Sequence, residues 1–157
     1  MVSNTDNNFD LDPDILSEVK GMKFGIVVSN WNKNITDNLY DGAFNTLLKY
    51  GANEYNIKKL EVPGSFELVY GCKKMQNENL DVIIAIGCVV KGETDHYDYI
   101  CSSVSNGITQ LNIINDTPIV FCVLTDHNIE QSISRSGGKH GNKGVESAIA
   151  AIKIASI

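Results

Sequence analysis

Apolar runs of strand length alternate along this chain with segments whose apolar positions recur at a helical period. Residues 23–29 (KFGIVVS) predict the first firm strand. Residues 34–50 place Ile35, Leu39, Ala43, Phe44, Leu47 and Leu48 on one side of a helix, and Gly51 is a natural stop. A second strand over 55–62 ends at Pro63-Gly64, and a helix follows over 66–75. The run 81–90 is apolar from Val82 to Val90 apart from Gly87, which predicts a strand buried on both faces. A long helix over 94–114 carries Tyr97, Ile100, Val104, Ile108 and Leu111 on one side. Residues 118–124 predict a strand and 128–133 a short helix. A glycine-rich cationic turn at 137–144 and a last helix over 145–157 complete the chain.

This alternation predicts an α/β fold with a four-stranded parallel sheet. Right-handed crossovers then make it a three-layer α/β/α sandwich. Residues 1–20 read as a polar arm in which Phe9 and Leu11 mark one short edge strand, bounded by Pro13. Residues 21–157 read as a single domain.

In such sheets ligands bind at the carboxyl ends of the strands. Polar clusters fall there in sequence: Asn30-Trp31-Asn32, Pro63 to Glu67, Lys91 to His96, and Thr125-Asp126-His127. The third cluster is the most informative. A strand, the turn Lys91-Gly92-Glu93-Thr94 and a helix start leave backbone N–H groups free for an anion. His96 in the first helical turn adds a group of the type that moves protons near neutral pH. Together they point to chemistry on a phosphorylated small molecule.

Composition narrows the alternatives. The net charge of −6 argues against nucleic acid as a main partner. The longest apolar run is about half of the roughly 20 residues that span a bilayer, so no membrane partner is expected. The acidic, polar start MVSNTDNNFDLDPD resembles no targeting segment. The four cysteines form no C-x-x-C pair, and three sit in or beside apolar runs. They read as buried free thiols of a reducing, cytoplasmic compartment. Three histidines without metal spacing predict no metal site.

The blocks GIVVSNWN (25–32), VPGSFE (62–67), GCVVKGETDHYDYIC (87–101), NIEQSI (128–133) and GGKHGNKGVESA (137–148) resemble, in order and spacing, those of the lumazine synthase family. The resemblance covers roughly residues 22–155 and implies a flavodoxin-like fold. It implies condensation of 5-amino-6-ribitylamino-2,4-pyrimidinedione with 3,4-dihydroxy-2-butanone 4-phosphate to 6,7-dimethyl-8-ribityllumazine, with no cofactor. An imine forms, phosphate leaves, and the ring closes with loss of water.

By the same resemblance, His96 is the proton-transfer residue. Trp31, where the family often has Phe, stacks on the pyrimidine. Asn32 and Glu67 meet the ribityl chain, while Ser65, standing where Ala is common, and Phe66 contact the ligand through backbone alone, beside Gly64 in the turn. Cys88, Val89 and Val90 offer backbone to the pyrimidinedione edge, and Cys88 serves only as a wall. Lys91, often Arg in the family, keeps the charge without the planar fork. Gly92, Glu93 and Thr94 form the phosphate loop, and Arg135 supplies its cationic fork. Phe121, Lys143 and Glu146 complete the substrate site, with Phe121 reaching a neighbouring subunit. Family members are pentamers, some closed into 60-subunit shells that enclose riboflavin synthase. The compact turn at 137–144 resembles the shell formers. A carrier of flavins or ribityl compounds, or a purely structural shell protein, is the alternative. Either would need no phosphate site.

Overall fold

The computed structural model describes residues 11–157. Four strands, β1 (Phe24–Ser29), β2 (Ile57–Val62), β3 (Val82–Val90) and β4 (Ile119–Asp126), form one parallel sheet in the order β2-β1-β3-β4. The helices between them are α2 (Lys33–Lys49), α3 (Leu68–Met75) and α4 (His96–Ile114). After β4 come α5 (Ile129–Arg135), a small antiparallel hairpin of β5 (Ser136–Gly138) and β6 (Gly141–Asn142), and α6 (Lys143–Ala155). The three-layer sandwich expected from the alternation is what forms.

The layers follow from strand parity. Phe24, Ile26, Val28, Ile84 and Ile86 face one side, where Ile35, Leu39 and Leu47 of α2 and Ala148, Ile149 and Ile152 of α6 cover them. Val27, Ile83 and Ala85 face the other side, under Leu68, Cys72 and Met75 of α3 and Val104, Ile108 and Leu111 of α4. The chain steps outward from β1 to β2 with α2 on one face. It then returns past β1 to β3 with α3 on the opposite face. Right-handed crossovers require that change of face when the direction reverses. The reversal makes the gap between β1 and β3 the switch point where ligands collect.

Two glycines permit close approaches. A Cβ at Gly144 would collide with the Leu39 carbonyl, so α6 can lie against α2 only with glycine there. A Cβ on Gly87 would lie 2.8 Å from both Leu68 Cδ1 and Ser65 Oγ. The break in the central apolar run is therefore what lets the 65–68 turn close over β3.

The N-terminal segment differs from expectation. Phe9, half of the expected edge strand, lies outside the described residues. Leu11 lies in no strand and is buried in the α2–α6 core together with Val19. Asp12 caps a short helix, α1 (Pro13–Glu18), its carboxylate accepting from Asp14 N at 2.9 Å. Proline at the first helical position suits a helix start, where no intrahelical partner is needed for its nitrogen. The pyrrolidine read as a strand terminator is thus a helix initiator. Elsewhere the differences lie at element ends. Residues Glu54–Asn56 form a 3-10 turn before β2, and the glycine-rich turn is a hairpin that feeds directly into α6.

Among the described residues no helix is long and apolar enough to cross a membrane.

Candidate functional site

The carboxyl ends of β1, β2 and β3 are laced together by hydrogen bonds that continue beyond the strands. Asn30 N donates to the Val62 carbonyl (2.9 Å) and Trp31 N to the Pro63 carbonyl (3.2 Å), joining the loops after β1 and β2. Asn32 spans the β1–β3 gap, its side-chain amide donating to the Cys88 carbonyl at 3.0 Å. Its backbone is left-handed (φ 56°), the only such non-glycine among the described residues. Asn tolerates this conformation better than most residues, and here it opens α2. Glu67 Oε2 accepts from Gly64 N at 2.9 Å and closes the turn after β2. Helix α3 starts at Leu68, two residues later than the expected Phe66.

These loops enclose a cleft of about 520 Å³. Of the expected site residues, Trp31, Asn32, Gly64, Ser65, Phe66, Glu67, Cys88, Val89, Val90 and His96 line it, together with Ile100. The lining is largely apolar with a few convergent polar groups, the usual make-up of a small-molecule site. Trp31 is 72% exposed at the mouth, leaving a ring face free to stack. The Ser65 hydroxyl is buried in the wall and has no partner among the described residues. Reading Ser65 for its backbone alone misses that hydroxyl, which is free to meet a hydroxylated ligand.

No lysine or arginine lines this cleft. Gly92, Glu93 and Thr94 are exposed just beyond it, before His96 begins α4. Lys91 N donates to the Asp126 carbonyl (2.9 Å), and its ammonium lies 5.7 Å from the centre of the Tyr97 ring. The other predicted residues gather around β4 and the chain that follows it. Phe121 is 42% exposed on this edge strand. Lys143 and Glu146 pair at 2.7 Å in the first turn of α6, and both act electrostatically on the Cys122 thiol. Arg135 ends α5, its guanidinium donating to the Gln131 carbonyl (3.2 Å) and standing 3.8 Å from Asp126 Oδ1. The predicted residues thus fall into two groups: one around the cleft, one near the β4 edge.

The cysteines are unsuited to nucleophilic work. Burial pushes the Cys72 thiol up to about 12 and that of Cys122 to about 11. Burial also raises Cys88 and Cys101, so all four stay protonated at neutral pH. Among the described residues no cluster of three or more His, Cys, Asp or Glu side chains is placed to hold a metal ion.

Comparison with known proteins bears on this geometry. The family model described as 6,7-dimethyl-8-ribityllumazine synthase matches residues 21–157. The chain belongs to the 6,7-dimethyl-8-ribityllumazine synthase family. Proteins of that name are similar along its whole length. One from Christiangramia forsetii is 53% identical, covering 100% of this chain and 95% of the relative. One from Flavobacterium johnsoniae is 52% identical over 100% of this chain and 83% of the relative. A Bacteroides fragilis relative is 54% identical over 85% and 94% respectively.

Proposed function

We propose that this chain is a lumazine synthase, a transferase of riboflavin biosynthesis that joins the ribitylamino-pyrimidinedione to 3,4-dihydroxy-2-butanone 4-phosphate. The observation that carries the reading is the cleft itself. It offers a stacking ring (Trp31), an orphan hydroxyl (Ser65), a carboxylate (Glu67) and an imidazole (His96) in one wall system. Trp31 stacks on the pyrimidine. Cys88, Val89 and Val90 face its edge, and Asn32, Ser65 and Glu67 meet the ribityl hydroxyls. Holding two substrates in register supplies much of the rate by proximity. His96 moves protons as the 5-amino group condenses to an imine and as phosphate leaves.

The cleft's lack of a cation supports a further part of the reading. A phosphate needs positive charge, and Arg135 and Lys143 stand near β4 instead. We infer that Phe121, Arg135, Lys143 and Glu146 serve the cleft of a neighbouring copy, where Arg135 joins the Gly92-Glu93-Thr94 loop around the phosphate. The assembly is then a pentamer, and the compact hairpin before α6 favours closure into a 60-subunit shell able to enclose riboflavin synthase in the cytoplasm. Exposed Phe121 on an edge strand supports such a contact, since an unpaired strand edge with an apolar side chain invites a partner.

Activity tests the reading directly. Purified protein mixed with both substrates is followed by lumazine absorbance and phosphate release. The two products should appear together above the uncatalysed rate, and His96→Ala should slow turnover by about a hundredfold or more without changing assembly. Tight binding of ribityllumazine or flavin without acceleration would move the function to a carrier.

A further inference from the structure

Asp126 is a buried carboxylate outside the cleft. It ends β4, is 7% exposed, and has no place among the residues the family resemblance assigns. Its Oδ2 accepts from the Ser132 hydroxyl at 2.8 Å. The same hydroxyl, fully buried, accepts from the Cys88 thiol (Sγ–Oγ 3.4 Å) in the cleft wall. Its Oδ1 faces the Arg135 guanidinium at 3.8 Å, and its backbone carbonyl holds Lys91 at the start of the phosphate loop. One residue therefore touches this chain's own loop through its backbone and, through its side chain, the arginine that serves a neighbouring copy's cleft.

A buried carboxylate is costly, and replacing a buried ion pair by apolar groups is often neutral or stabilising. Stability alone is a poor reason to keep Asp126 here. Its geometry suggests another. Arg135 is otherwise held only by the carbonyl of Gln131 on its own helix, and its remaining donors are uncommitted among the described residues. The base beneath it is firm: Asn128 Oδ1 accepts from Gln131 N (3.0 Å), and Gln131 Oε1 accepts from His127 N (2.9 Å). The carbonyl, by a hydrogen bond, and the carboxylate, by charge, both act on the same nitrogen, Nη1, which anchors one corner of the planar fork and leaves Nε and Nη2 uncommitted.

We propose that Asp126, fixed by Ser132, is a positioning residue that orients the Arg135 fork for the phosphate of the butanone substrate. The proposal rests on the reading of Arg135 as the phosphate cation. Asp126 touches no substrate; it acts through Arg135. Its negative charge by itself would repel phosphate, so the sign of the effect separates the two roles. Orientation predicts weaker phosphate binding on its removal, and simple neutralisation of Arg135 predicts tighter binding.

The test is steady-state kinetics of the full chain with Asp126→Asn, Ser132→Ala, Arg135→Ala and the double variant Asp126→Asn/Arg135→Ala. Inorganic phosphate serves as a competing probe. Asp126→Asn is expected to raise KM for the butanone phosphate and Ki for inorganic phosphate about tenfold. KM for the pyrimidine should change by less than about twofold, because no pyrimidine contact is lost. Ser132→Ala should move the same constants in the same direction by about threefold. The double variant should be no worse than Arg135→Ala alone. An unchanged or lowered phosphate KM, equal effects on both substrates, or multiplicative loss in the double variant overturns the proposal. If Asp126→Asn does not fold, Ser132→Ala decides by the same criteria. Arg135→Ala without effect on phosphate sinks the reading of Arg135 and the proposal together. An effective Arg135→Ala beside an ineffective Asp126→Asn sinks the positioning role alone.

Discussion

Trp31 shows how much one side chain carries and how simply it is followed. It is the only tryptophan of the sequence, and it stands exposed at the mouth of the cleft. Stacking of a pyrimidine on its ring should quench the intrinsic tryptophan emission, saturating with the ribitylamino-pyrimidinedione and not with the butanone phosphate. Trp31→Phe keeps a stacking face and should leave KM for the pyrimidine within about threefold, whereas Trp31→Ala should raise it about tenfold. Equal constants for the three proteins, measured by lumazine formation, would remove the ring from recognition. Most cleft residues were legible because glycine, proline, an aromatic and polar residues cluster after strand-like runs. The Ser65 hydroxyl and the Ser132–Asp126 bond were not. A serine or aspartate beside a strand end looks the same whether solvated or buried, and only packing decides.

Elements pack here at two unequal tolerances. α6 lies so close to α2 that Gly144 admits no Cβ beside the Leu39 carbonyl. Gly144→Ala should cost about 3 kcal/mol, read as a lowered urea midpoint, because backbone cannot yield as a side-chain tip can. Gly21→Ala is the control: nothing lies within 4 Å of its Cβ position, and stability should stay within about 0.5 kcal/mol. Similar losses in both variants would mean that general backbone effects, and not the α2–α6 approach, dominate. Helices and strands were readable from their periods because each buries one stripe or face. The N-terminal helix α1 was not, since six residues with one proline carry no period, and its capping Asp12 also reads as a turn residue.

At the scale of the whole molecule, the divided site bears on assembly. The residues of the proposed site divide between a cleft with no cation and a β4 region that holds Phe121, Arg135 and Lys143. Light scattering of the purified protein should show one uniform species of sixty chains. A five-chain species would sink the shell and keep the shared site, and a single-chain species would sink both. The amino-acid order alone determined the sheet class, the main strands and helices from residue 23 onward and the polar clusters at the strand ends, because hydrophobic period and turn chemistry are local properties. It also placed Arg135, Lys143 and Phe121 among the functional candidates through the resemblance of their motifs. Only the tertiary structure decided that these three lie apart from the cleft. Only it showed that Gly87 makes room for the Ser65 turn, and that Asp126 is buried against Ser132 and Arg135. Each of those facts depends on which distant segments meet, and a strand order of β2-β1-β3-β4 brings together residues whose separation along the chain gives no sign of it.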